Sequence, residues 1–145
     1  MIHGLFDRGA MPTLERVVQF AQARHRVLSD NIANLSTPYF KPRDLDPRSF
    51  QVALGDAIDR RRQRPNPTAG PLELQDTKEL RFGPDAISAN PQPSHRGILF
   101  HDQNNRDLER TMQSLAENTL THTSAVEVLR NEYSIMLTAI RERVG

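Results

Sequence analysis

The feature that most limits what this chain can fold into is a stripe near its C-terminal end. It runs Leu108, Met112, Leu115, Thr119, His122, Val126, Leu129, Tyr133, Met136 and Ile140, on strict alternating steps of four and three. That spacing sets every member on one side of an α-helix and predicts a coiled-coil-like helix from Asp107 to Val144. At about 1.5 Å per residue such a helix extends roughly 55 Å, more than a compact domain of this size requires. Asp107 is placed to cap its start and Glu109 to face the positive end of the dipole, with Arg141 and Arg143 at the negative end. Thr119 and His122 interrupt the apolar line, as polar residues do where register and partner choice are set.

A second stripe lies at the other end. Leu14, Val18, Ala21, His25, Leu28, Ile32 and Leu35 follow the same steps, with Val17 and Ala33 beside them and Glu15, Arg16, Gln19, Gln22 and Arg26 as polar flanks. This predicts a helix from Thr13 to Leu35, opened by Pro12-Thr13 and stopped by Ser36-Thr37-Pro38, since proline pushes the residue before it out of the helical region. None of the ten prolines falls between these limits and none follows Pro93, so both ends are free to be helical. The simplest arrangement pairs the two helices with each other. Apolar surface left outside the pair is then buried by other copies, in contacts that run head to tail into a tube.

Between the stripes, Asp46-Pro47 reads as an N-cap with proline at the first helical position. Phe50, Ala53, Leu54, Ala57 and Ile58 then keep helical spacing. The run Arg60, Arg61, Arg62 and Arg64 reads as the solvated C-terminal end of that helix. From Arg64 to Arg96 six prolines with Gly70 and Gly83 leave room for loops and short strands only, at Leu72 to Leu74 and Gly97 to Phe100. The expected fold is mainly α. Long terminal helices form an antiparallel coiled-coil-like pair, with a short central helix and a proline-rich irregular middle. The expected boundaries are 1–37 and 105–145 for the two helical arms and 38–104 for the middle.

Composition removes several functions. A net charge of +1 gives no field for nucleic acid or an anionic membrane, and the absence of cysteine removes thiolate chemistry and disulfides. At 37% hydrophobic residues and a mean hydropathy of −0.62, one copy is short of apolar surface to bury, which points to partners. No run approaches the 18 apolar residues of a membrane span, and Met1 to Met11 lacks a basic segment followed by an apolar one, so no general-secretory signal is expected. The histidines at 3, 25, 95, 101 and 122 show no ligand spacing. His25 and His122 read as seam residues, and a metal held by His95 and His101 is not expected. Asp44 with Asp46, or Glu127 with Glu132, lack the apolar pocket that separates the pKa values of an acid and a base. There is no Gly-x-Ser-x-Gly elbow and no glycine-rich phosphate loop. No enzyme, metal, cofactor, small-molecule substrate or nucleic-acid partner is expected.

The most informative segment is Leu28-Ser-Asp-Asn-Ile-Ala-Asn-Leu-Ser-Thr-Pro-Tyr-Phe-Lys41. Asn31 and Asn34 lie on one face near a helix end, where side-chain amides can bond orphan carbonyls or a neighbouring chain. Tyr39 and Phe40 then present aromatic surface just past the break, a candidate subunit contact. Asn31, Ile32, Ala33, Asn34, Thr37, Pro38 and Lys41 together resemble the Asn-x-Ala-Asn-x-x-Thr-Pro-Gly-Tyr-Lys signature of bacterial flagellar rod and hook proteins. Arg43-Asp44, the short length, and Asp107-Leu-Glu-Arg-Thr-Met-Gln-Ser-Leu-Ala-Glu-Asn118 are most similar to the proximal rod proteins within that family. The likeness covers about residues 14 to 58 and 100 to 143. It departs where the family's Gly-Tyr is Tyr39-Phe40, which removes the residue that tolerates positive φ.

The resemblance implies a structural rod subunit, exported through the flagellar type III apparatus without a cleaved signal and assembled on the periplasmic side of the basal body. It implies terminal helices around an axial channel, torque carried through them, and contacts with like copies, other rod proteins, and the basal adaptor and export-gate or MS-ring components. Another axial subunit of the flagellum, or a cytosolic helical adaptor or chaperone, are the alternative readings.

Overall fold

The computed structural model describes residues 9–84, 86–93 and 108–144. Three helices dominate: α1 (Met11–Ala33), α2 (Pro47–Arg62) and α3 (Leu108–Val144). Four short strands lie between them: β1 (Arg43–Asp44), β2 (Leu80–Phe82), β3 (Ile87–Ala89) and β4 (Gln92–Pro93). The chain is mainly helical, with its two long helices packed together, as the stripes predict.

Helix α1 starts two residues before Thr13. Ala10 at its N-cap makes no side-chain cap bond, and Pro12 sits in the first turn, where its missing N–H costs nothing. Its last regular residue is Ala33, and the Asn34 N–H closes it on the Asp30 carbonyl at 3.0 Å. Helix α2 opens as its sequence dictates: the Asp46 side chain accepts from the Arg48 N–H at 3.1 Å and Pro47 follows it. Helix α3 runs 37 residues with Glu109 in its first turn. Asp107, like Gly97 to Phe100, lies outside the described residues.

The α1 and α3 helices run antiparallel. Glu15 meets Tyr133 near one end, and further along the Asn118 amide donates to the Ala21 carbonyl at 2.8 Å. Helix α1 has a second working face. Phe20 packs with Leu45, Phe50 and Leu80, flanked by the half-buried Val17, Ala23 and Val27, and its ring stacks on Phe50 at 4.2 Å and 2°. The apolar core therefore lies between α1 and the middle segment, and α3 covers the other side of α1.

Two short antiparallel ribbons organise that middle. β2 pairs with β3, Leu80 opposite Ala89 and Phe82 opposite Ile87, and β1 pairs with β4, Arg43 opposite Pro93. Leu72 to Leu74 is irregular chain that forms no strand; it delivers Leu72 to the buried set and Leu74 to the core margin. The ribbon forms instead at β2 and β3, where the chain reverses at Gly83-Pro84 and the Gly83 N–H bonds the Ala86 carbonyl at 2.9 Å.

The arginine run is only partly solvated. Arg61 is 6% exposed and donates to the carbonyls of Gly9 and Thr68 at 3.0 and 3.2 Å, tying the end of α2 to the start of α1. Backbone carbonyls at both sites compensate the guanidinium for lost water, which a bare charge count cannot foresee. Among the described residues, no helix is long and apolar enough to cross a membrane.

Candidate functional site

The turn after α1 is built from side chains standing in for backbone. Asn31 is buried on the face of α1 opposite β1. Its Nδ2 donates to the Arg43 carbonyl at 2.6 Å, and its Oδ1 accepts from the Arg43 N–H at 3.0 Å. One asparagine thereby pairs a residue of the returning chain as a neighbouring strand would. Two turns earlier on the same face, Arg24 forms a bidentate pair with Asp44 at 2.9 and 2.8 Å. The same carboxylate accepts from the Leu45 N–H at 2.8 Å, and Glu79 accepts from the Asp46 N–H at 2.8 Å. Residues 43–46 are thus held from both sides.

Asn34 orders the turn itself. Its amide donates to the Asp30 carbonyl at 2.9 Å and its Oδ1 accepts from the Thr37 hydroxyl at 3.3 Å, while the Thr37 N–H bonds the Asn34 carbonyl at 2.9 Å. The Phe40 N–H then closes on the Thr37 carbonyl at 3.3 Å. Between these bonds Tyr39 takes φ +61° with its side chain 74% exposed. Phe40 and Ile32 are half-buried, and Ala33, Pro38 and Lys41 are exposed.

The stripe of α3 follows its partner only in the centre. Leu115, His122, Val126, Leu129, Tyr133 and Met136 are half-buried, but Leu108, Met112 and Ile140 at the ends are exposed, as is Thr119. A straight helix of 3.6 residues per turn drifts about 20° per heptad from a 3.5-residue repeat, so a strict four-three line turns away from a straight partner. Asn118 and Ala125, off the line, are instead the buried residues of this helix among the described ones. In α1, Ala21 and Leu28 are buried, Leu14 and Val18 are half-buried and His25 is exposed, while Leu35, expected on the helix, lies half-buried in the turn beyond Ala33. Outside the paired face α3 keeps Leu120 70%, Ile135 58% and Leu137 55% exposed, with Val128 close behind.

Tyr133 is the one described group with a resolved shift. Its pKa is raised by burial first, then by the charge of Glu15 and by the hydrogen bond to it. A cleft of about 510 Å³ beside β1 is lined by Arg24, Asp44, Asp46, Glu79 and Glu117, with the Arg24–Asp44 pair in its wall. His25 and His122 line one gap between the long helices, where the buried His122 Nε2 has no hydrogen-bond partner. No cluster of three or more potential metal ligands occurs among the described residues. His3, His95 and His101 lie outside them.

No protein-family model matches this chain. Curated proteins do. A flagellar basal body rod protein FlgB of Cereibacter sphaeroides is 26% identical over 122 residues, covering 83% of this chain and 84% of its own. FlgB of Yersinia enterocolitica is 25% identical over 141 residues, covering 92% and 95%, and FlgB of Bacillus subtilis is 25% identical over 134 residues, covering 91% and 93%. The relatives of this chain are flagellar basal body rod proteins. The match to FlgB spans both long helices and the middle, so it takes in the Asn31 and Asn34 turn and the α3 surface alike. Arg24 and Asp44, which hold the returning chain, escape a reading of the stripes because they lie off both. The signal for Arg24 was its spacing of seven from Asn31, which sets both on one helix face with Val17, Phe20 and Val27.

Proposed function

We infer that this chain is a structural subunit of the bacterial flagellar basal-body rod, working by packing and not by catalysis. The observation that carries the reading is the surface of α3: a 37-residue helix paired on one face, with Leu120, Val128, Ile135 and Leu137 exposed on others. Monomeric soluble proteins rarely leave such apolar surface to water along one element, and repeated copies of a helix pair bury it. The FlgB relatives, matched over most of their length, supply the setting.

In this reading residues 1–37 and 105–145 form the rod core, and residues 38–104 brace it. The helix seams, Leu14, Val18, Ala21, Leu28 and Leu35 against Leu115, Val126, Leu129, Tyr133 and Met136, close the pair, while Leu108, Met112 and Ile140, exposed at the ends of the stripe, and the far side of α3 bind copies into a tube around the export channel and pass torque along it. Asn31, Ile32, Ala33, Asn34, Thr37, Pro38 and Lys41 fix the turn at one end of each pair. The subunit reaches the periplasmic side of the basal body through the type III apparatus without a cleaved signal. There it meets other rod proteins, the basal adaptor and the export-gate or MS-ring components. Deleting the residues after Tyr133 is expected to abolish flagellation while the protein is still made. Normal swimming by cells carrying only that truncation would refute the reading.

A further inference from the structure

Two groups of cations in this chain are used differently. The arginine run after α2 is engaged within the chain: Arg60 donates to the Glu73 carbonyl, Arg61 to the carbonyls of Gly9 and Thr68, Arg62 pairs with Asp59, and Arg64 with Glu73. Lys41 and Arg43 are both exposed, and neither side chain has an ion-pair or hydrogen-bond partner among the described residues.

The chain that carries them is extended. Pro42 pushes Lys41 out of the helical region, and β1 begins at Arg43. Burial alternates along this run: Tyr39, Lys41 and Arg43 are exposed, whereas Phe40, Pro42 and Asp44 are half-buried. Side chains two residues apart in an extended chain share a face. Asp44 is bound to Arg24, so the outward set has no carboxylate of its own. Asn31 takes both the N–H and the carbonyl of Arg43, which leaves side chains as the means of recognition.

Tyr39 heads the run in the left-handed backbone region, which residues with a Cβ enter at a steric cost that glycine escapes. The hydrogen bonds that build its turn come from Asn34, Thr37 and the Phe40 N–H, none of which needs the phenol. A strained residue with an exposed ring, beside two unpaired cations, points to a use outside its own chain.

We propose that Tyr39, Lys41 and Arg43 dock an acidic segment of a different protein, the two cations pairing with its carboxylates and the phenol hydroxyl donating to one of them. Lysine and arginine can only donate and a carboxylate can only accept, so the chemistry is complementary. The inference rests on the rod reading and adds the chemistry of a neighbour. A second copy fits less well, because the exposed Asp59, Glu73 and Glu127 are matched by the chain's own arginines. Patches that hold an anionic membrane carry roughly four to eight cations, and this strip carries two.

The test uses the whole chain in cells. With the photoreactive benzoylphenylalanine in place of Tyr39, irradiation should cross-link this chain in basal bodies to a different protein, at a stretch where Asp and Glu outnumber Lys and Arg. Lys41→Glu/Arg43→Glu should enter basal bodies about tenfold less than wild type while melting at the same temperature. Changing carboxylates of the cross-linked stretch to lysine should restore its entry. A cross-link only to a second copy, to lipid, or to a neutral or basic stretch overturns the contact, as does none with the chain present in basal bodies. Wild-type entry of the charge-reversed chain, or failure of the rescue, also overturns it. If the photoreactive chain is not incorporated, or the reversed chain melts lower, Lys41→Gln/Arg43→Gln decides: depletion that Lys41→Arg does not share supports the contact, and wild-type levels overturn it. Absence of the unaltered chain from basal bodies would instead sink the rod reading itself.

Discussion

An asparagine can take the place of a strand neighbour because its side-chain amide offers one donor and one acceptor, as a peptide unit does. Asn31 uses both on Arg43, at 2.6 and 3.0 Å, inside a buried contact. Replacing it with alanine removes two hydrogen bonds and leaves the N–H and carbonyl of Arg43 facing a hole. At about 1 kcal/mol per bond, with a further penalty for the groups left unpaired, Asn31→Ala should cost roughly 2–3 kcal/mol in urea denaturation. Asn31→Asp should recover little, since it keeps the acceptor but turns a carboxylate toward the Arg43 carbonyl. A loss under about 0.5 kcal/mol for the alanine variant would show that the pairing is dispensable. The neighbouring Arg24–Asp44 pair acts on the same stretch of chain, so the two should be tested together as well as singly, because groups sharing a segment do not add.

Helix α2 could be read almost to the residue, because its start is a local matter: an acceptor at Asp46, proline next, then apolar spacing. The pairing of α1 with α3 was legible from the two stripes for the same reason of period. What escaped was the second face of α1, where Val17, Phe20 and Val27 alternate with Arg24 and Asn31. Two polar residues on that line make it look like a solvated flank until their partners, Asp44 and Arg43, arrive from the middle segment. Those contacts span loops whose path no periodicity specifies, which is also why the sequence alone reads Arg61 as a surface charge. The long-helix pair carries its own chemical signature in Tyr133, whose hydroxyl donates to Glu15 at 3.4 Å. Its pKa is raised in the fold by burial and then by that carboxylate, so above about pH 10 the unfolded chain gives up the phenol proton more readily than the folded one. The folded state then binds more protons, and stability falls as pH rises through this range. Tyr133→Phe should flatten that alkaline decline in denaturation midpoints measured between about pH 9 and pH 11. An unchanged slope would place the titration elsewhere.

The rod reading puts the stability of one copy and its capacity to assemble on different faces of α3, and this lets them be separated. The face turned to α1 buries Asn118 and Ala125, whereas Leu120 and Ile135 stand on the far side with most of their surface in water. Water already surrounds them in the single chain, so glutamate at both positions should change its stability by no more than about 0.5 kcal/mol per site. In a tube of packed helix pairs the same side chains are buried, and a carboxylate there would be desolvated without a partner, at several kcal/mol in each contact. Leu120→Glu/Ile135→Glu should therefore melt within a few degrees of wild type as a purified chain and yet be missing from basal bodies, leaving cells non-motile. A matched control, Leu120→Gln/Ile135→Gln, removes the apolar surface without adding charge and should show a milder defect. If the glutamate chain swims normally, the far side of α3 faces water in the finished structure, and the apolar surface on which the rod reading rests is not used for assembly.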